Sequence, residues 1–252
     1  MNTILSIGNS RDIQYGKVNE MNKQSKGKCR FCGKEYTKTS MVKHITSCKE
    51  RKNELEKSAS DKESGYFGLA IFGKYAKSYW LITEFREDAM LKDVDKFLRD
   101  IWLECCGHLS SFNIDGISYE SDPEPTGGWG HPVKGMNCKL KNVIEKGMVF
   151  DYEYDFGSTT ALTISVFDYR VGAWKKDKLT ILSRNNPIEH ICEECGEKKA
   201  TAVCAECIYE GAGFLCDDCQ KEHECGEDML MNVCNSPRLG VCGYEGSTKY
   251  PD

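Results

Sequence analysis

Residues 89–105 read AMLKDVDKFLRDIWLEC. Leu91, Val94, Leu98, Ile101 and Cys105 recur at helical spacing, and Phe97 and Trp102 widen the apolar stripe. The pattern predicts one long amphipathic helix, with Asp88 as its N-cap and Gly107 as its C′ residue. Strand signals lie on both sides of it. Upstream, residues 65–73 (GYFGLAIFG) and 78–85 (SYWLITEF) are β-rich and joined by a short hairpin link. Downstream, residues 108–119 alternate, and residues 148–156, 160–169 and 179–182 read as further strands. Residues 121–135 (SDPEPTGGWGHPVKG) form a long Gly/Pro loop of the kind that is usually functional or disordered. The fold expected for residues 65–185 is therefore α+β: a mostly antiparallel sheet with the long helix laid across one face.

Two runs of this core resemble a known family. They are FLRDIWLECCGHLS, residues 97–110, and FDYEYDFGSTT, residues 150–160. Both look like the plasmid pRiA4b ORF-3-like family. The tail pieces HECG (223–226) and NSPRLGVCGY (235–244) look like the extension that longer members carry. The resemblance covers roughly residues 65–245. It implies an α+β core and brings no settled activity. Some members are labelled resolvases of mobile elements, but no Ser and Arg constellation here supports that chemistry.

Beyond the core, cysteines dominate. Residues 192–225, CEECGEKKATAVCAECIYEGAGFLCDDCQKEHEC, carry three Cys-x2-Cys pairs at even spacing: Cys192/Cys195, Cys204/Cys207 and Cys216/Cys219. His223 and Cys225 follow. A two-residue gap lets both sulfurs of a tight turn face one cation, and zinc takes four such N/S donors in a tetrahedron. Eight donors make two sites. A cross-brace joins Cys192/Cys195 with Cys216/Cys219, and Cys204/Cys207 with His223/Cys225. The spacing resembles a B-box or MYND-type module with a compressed last pair. Cys234 and Cys242 compete with Cys225 as the eighth ligand, and His190 is a lesser competitor of His223.

A further motif lies near the start: Cys29-x2-Cys32-x11-His44-x3-Cys48. Residues 39–48 read as a helix capped by Thr39 or Ser40, which sets His44 and Cys48 on one face. This resembles a ββα finger with its last His replaced by Cys. Phe31, Tyr36, Met41 and Ile45 supply a small apolar cluster that zinc binding would close. Three zinc ions per chain are expected. The segments read as an arm (1–25), a C2HC finger (26–50), a linker with the option of a solvated helix extension (51–64), the core (65–185) and a two-zinc module with tail (186–252).

Charge separates the two ends. Residues 21–53 carry ten Lys/Arg against Glu35 and Glu50, a formal +8, whereas residues 186–252 carry five Lys/Arg against fourteen Asp/Glu, a formal -9. The first favours DNA or RNA as partner, the second a protein. No apolar run is long enough to span a membrane, and the first sixteen residues lack the pattern of a signal peptide. A cytoplasmic protein is expected, where grouped thiols mean metal rather than disulfides.

Other candidates are weaker. The kinase-like Asp155-Phe156-Gly157 has no glycine loop before it and no His-Arg-Asp. It reads as the end of a strand whose one face is aromatic (Phe150, Tyr152, Tyr154, Phe156) and whose other is acidic (Asp151, Glu153, Asp155), with Gly157 making the turn. Cys106 and His108 form a potential nucleophile pair with no third orienting group. Trp129 and His131 sit in the Gly/Pro loop, and Cys138 is a lone thiol. The leading reading is a non-enzymatic, zinc-binding adaptor. Its alternatives are an enzyme using the Gly/Pro loop with Cys106 and His108, and a protein-only scaffold.

Overall fold

The computed structural model describes residues 24–58, 60–123 and 132–251. Most of the arm, together with Lys23, Trp129 and His131, lies outside the described residues. The described residues open with a short hairpin, β1 (Lys26–Lys28) and β2 (Glu35–Thr37). Helices α1 (Lys38–Ser47) and α2 (Lys49–Lys57) follow, broken at Cys48. The core comprises β3 (Glu63–Gly73), β4 (Trp80–Arg86), α3 (Leu91–Leu98), β5 (Ser110–Ile114), β6 (Ile117–Glu120), β7 (Val133–Gly135), β8 (Val149–Tyr154), β9 (Thr160–Ala173) and β10 (Leu179–Arg184). These eight strands form one sheet in the order β10-β4-β3-β9-β8-β5-β6-β7. A second sheet, β12-β11-β13, is built from β11 (Ala202–Cys204), β12 (Phe214–Leu215) and β13 (Leu230–Asn232).

Two expectations about fold class are overturned. The large sheet is mixed, because β7 runs parallel to β6. No long amphipathic helix exists among the described residues, and strand outweighs helix, 34% against 21%. The helix α3 covers only Leu91–Leu98, after which residues Arg99–Leu103 take a π-helical turn. The Glu104 N–H reaches back five residues to the Arg99 carbonyl at 3.0 Å. The cause is packing. Ile101, Trp102 and Leu103 are all buried, and three consecutive buried side chains do not fit one stripe of an α-helix. The wider turn satisfies them and then stops, leaving residues 104–108 as a loop. The predicted caps shift with it: Asp93 accepts the Met90 N–H at 2.9 Å, while Asp88 pairs with Arg86 instead.

The sheet is buried on both faces. On β3, Phe67, Leu69 and Ile71 face the main core with α3, while Ala70 and Phe72 face the other way. On β4, Leu81 and Phe85 join the main core, and Trp80 and Ile82 join the second cluster with Leu182 of β10. Both phases of these strands are apolar, the pattern of a sheet covered on two sides.

The second cover is the finger. Met41, Ile45, Cys29 and Cys48 pack onto Ala70, Trp80, Ile82 and Leu182. Backbone bonds stitch β1 along β10: Arg30 N–H to the Leu182 carbonyl at 3.0 Å, and Asn186 N–H to the Lys26 carbonyl at 2.7 Å. Gly27 makes this approach possible, since a Cβ there would sit 2.0 Å from the Arg184 carbonyl oxygen. From α2, buried Arg51 reaches Glu84 of β4 at 2.6 Å, and Arg170 of β9 holds the same carboxylate. The segment after the finger is thus a helix clamped to the sheet.

The C-terminal tail is equally bound. Ser236 donates to the Trp102 carbonyl at 2.6 Å, Asn185 and Asn235 exchange side-chain bonds, and Lys249 pairs with Asp100 at 2.7 Å. The tail therefore lies against the π-helical turn that follows α3.

Candidate metal centres

Among the described residues, four groups of Cys and His bring their donor atoms within 4.8 Å of one another. Zinc bonds of about 2.3 Å to sulfur and 2.0–2.1 Å to nitrogen, at tetrahedral angles, place sulfurs about 3.8 Å apart and S···N pairs about 3.6 Å apart. A disulfide would need about 2.05 Å.

In the finger, Cys29 and Cys48 lie 4.0 Å apart through sulfur, and Cys32 Sγ is 3.3 Å from His44 Nε2. The donors come from the β1–β2 turn, from α1 and from its C-cap, so His44 and Cys48 meet as their spacing requires. The helix starts at Lys38 behind Thr37, slightly earlier than the caps expected. Tyr36 stacks on the His44 ring at 4.2 Å and fixes its plane.

The ladder closes as a cross-brace. Cys192, Cys195, Cys216 and Cys219 form one group; Cys204, Cys207, His223 and Cys225 form the other. Cys195 and Cys216 are 4.0 Å apart, Cys207 and Cys225 3.6 Å, and Cys207 Sγ lies 3.5 Å from His223 Nε2. The competitors stand aside. Cys234 is buried in the small apolar cluster of the module. His190 stacks on Phe214 at 3.9 Å, where burial lowers its pKa to about 4. Cys138 packs on the main core.

Backbone amides two and three residues further along converge on Cys195, Cys204 and Cys216. The Lys198 and Glu197 amides hold Cys195 down to about 7. Burial pushes the Cys204 thiol up, but the amide of Cys207, the His223 ring and the amide of Glu206 outweigh it, again to about 7. Cys216 is lowered in the same way by the Cys219 and Asp218 amides. Such donors favour thiolate, the form that binds metal. Their neighbours move oppositely: burial, Cys225 and Cys204 drive Cys207 up to about 12. Crowded thiolates repel, so a divalent cation would release protons as it gathers them. Beyond the donors, His223 presents Nδ1 to Glu194 at 3.3 Å, the carboxylate–histidine arrangement that orients a ligand through Nε2.

The fourth group was not foreseen: Cys105, Cys106, His108 and Cys242. The expected count of three is thereby corrected to four candidate centres. The predicted nucleophile pair lies inside this group, with Cys106 Sγ 3.0 Å from His108 Nε2. A signal was available. Fifteen cysteines less the ten of the other centres leave five unassigned, and three donors fall within residues 105–108. The missing fourth donor is 134 residues from His108 in sequence, which no spacing rule reaches.

Beside this group, Asp155 departs from its predicted role. It does not sit on the acidic strand face. It takes φ 65, makes the turn expected of Gly157, and turns a buried carboxylate inward. There it accepts the Gly157 and Ser158 amides and pairs with Arg238 at 2.7 Å. Burial raises the Asp155 pKa, but Arg238 and these amides prevail and hold it below the ordinary carboxylate range.

No helix among the described residues is long and apolar enough to cross a membrane. No protein-family model matches the chain, and no curated protein matches it. One similar solved structure is the crystal structure of a protein of unknown function, MM3350, from Methanosarcina mazei Go1. It shows a TM-score of 0.37 and 16% identity over 48% of this chain and 67% of that one.

Proposed function

We propose that this chain is a zinc-binding adaptor whose finger presents a basic surface to nucleic acid and whose cysteine ladder presents an acidic one to protein. Cys and His donors without an oxygen-rich site favour zinc over harder cations. One observation carries the nucleic-acid reading. The finger's apolar side is docked on the sheet, while Lys26, Lys28, Arg30, Lys34, Lys43, Lys49 and Lys52 remain exposed. Two basic residues of the sequence pattern serve the fold instead: Arg51 is buried on Glu84, and Lys38 lies 3.4 Å over the Phe72 ring. The ladder offers exposed Glu197, Glu206, Glu210, Asp217, Glu222 and Glu224 as its acidic counterpart. The pRiA4b ORF-3-like resemblance supports a shared core and adds no chemistry.

The test is fluorescence anisotropy of full-length, zinc-loaded protein with labelled duplex DNA and RNA across a salt series. The full chain is needed because an isolated finger would lose the sheet it packs on. Binding should be weak and non-specific, and four phosphate contacts give a slope of log K against log salt of about -3.6 on duplex DNA. Lys34→Glu with Lys43→Glu should weaken binding for every sequence and flatten the slope by about 2. No association at about 50 mM salt, where phosphate contacts are strongest, would show the finger face to be a protein-binding or purely structural surface.

A further inference from the structure

We propose that Cys105, Cys106, His108 and Cys242 hold a fourth zinc ion, and that this ion is a structural clasp fastening the C-terminal tail to the core. The inference rests on the reading that the other Cys/His groups take zinc, and extends it to a site of different architecture.

The geometry is that of a closed tetrahedral site. Cys105 and Cys106 sulfurs lie 3.7 Å apart and Cys106 and Cys242 sulfurs 3.8 Å apart. The His108 Nε2 sits 3.0 Å from Cys106 and 3.3 Å from Cys242. The sulfur distances match the spacing around zinc, about 3.8 Å, while His108 sits closer to both sulfurs than the spacing of about 3.6 Å in a zinc site, so the ring would move outward on binding an ion. The sulfurs are much too far apart for a disulfide. Four protein donors leave no open position for water or substrate, which marks a structural rather than a catalytic ion.

Unlike the finger and the ladder, this group joins two distant segments. Three donors come from the loop left where the π-helical turn ends, and the fourth from the tail. Positive φ marks the donor Cys242 and a neighbour of the group. Among the described residues only Asp115, Asp155 and Cys242 combine a side chain other than glycine with positive φ. Asp115 is accounted for by the Asp-Gly turn between β5 and β6. The other two, at φ 65 and φ 51, meet at this group. Strain of that kind persists only where surrounding bonds over-determine it.

A buried donor also faces the group. Arg238, fully buried, sets its Nη2 3.5 Å from Cys105 Sγ and 2.7 Å from Asp155, whose carboxylate lies 3.5 Å from His108 Nε2. Its Nη1 donates to Thr160 and the Ser158 carbonyl. Backbone amides serve the sulfurs of the Cys-x2-Cys turns; here a guanidinium from the tail itself serves Cys105.

Native mass spectrometry of full-length protein from zinc-replete cells tests this. The wild type should carry four ions. Cys242→Ala, Cys106→Ala and the double variant should each carry three, because the two thiols share one site. Cys138→Ala, outside every group, should keep four, and His108→Cys should also keep four, now with an all-cysteine donor set at the clasp. Hydrogen exchange over residues 234–247 should speed up in Cys242→Ala relative to wild type. Three ions in wild type, with Cys32→Ser falling to two, would overturn the clasp while leaving the zinc reading intact. So would four ions retained by Cys242→Ala, or a Cys106–Cys242 disulfide found by mass after alkylation. A wild type free of zinc would overturn both readings.

Discussion

Cys32→Ser is expected to lower the melting temperature of the whole sheet, well beyond the loss of one metal ion. The variant removes a donor from the finger, and metal binding supplies on the order of 10 kcal/mol to the folding of such modules. A finger unfolded in this way no longer covers Trp80, Ile82 and Leu182, all at most 1% exposed in the intact protein. Uncovering three large apolar side chains costs about 2 kcal/mol each. At about 2–4 °C per kcal/mol for a chain of this size, the sheet should melt at least 10 °C lower. Circular dichroism reads the melt, and a red shift of tryptophan emission reports Trp80 reaching water. A core melting point unchanged within about a degree, with one zinc equivalent gone, would show the finger to be an independent module after all. The charged composition of residues 51–64 reads as such a linker.

Arg238→Met should be the most damaging change in the tail. Its guanidinium is 0% exposed and pairs with a carboxylate that is itself 7% exposed. Removing one partner of a buried ion pair leaves the other uncompensated, at a cost of about 3–5 kcal/mol. The melting temperature should fall by about 10 °C. Arg238→Met combined with Asp155→Asn should recover part of the loss, since the stranded charge is then gone. A single variant within about 1 kcal/mol of wild type would mean that the carboxylate is protonated or hydrated, and the pair is not what holds the tail.

Much of the local structure could be read from the chain. The Cys-x2-Cys turns, the His44/Cys48 step and the strands 65–73 and 78–85 all depend on neighbours within a few residues, where spacing is informative. The helix beginning at Leu91 obeyed its period for two turns. It then gave way to a π-helical turn, because Ile101, Trp102 and Leu103 all enter the main core and one helical stripe cannot serve three consecutive residues. The mixed character of the sheet rests on three residues of β7, at the end of the stretch read as a Gly/Pro loop, where no periodicity speaks. Strands β3 and β4 carry apolar side chains on both faces, and the expectation of a single covered face left that pattern unread. The fourth group was hidden for the same reason. Its last donor, Cys242, arrives by tertiary folding alone, and Arg238 and Asp155 look ordinary until they are found buried together.

The way β1 runs along β10 has a meaning for solubility. β10 is a terminal strand of an eight-stranded sheet, and its Leu182 carbonyl is occupied by the finger's Arg30 amide. A bare terminal strand with apolar neighbours is a template for pairing with another molecule. If the finger holds zinc as proposed, its small hairpin depends on that ion to fold, and the guard on this edge is only as durable as the metal supply. Zinc depletion would thus expose an adhesive border before the sheet itself unfolds, and self-association of an otherwise folded protein would be its first symptom.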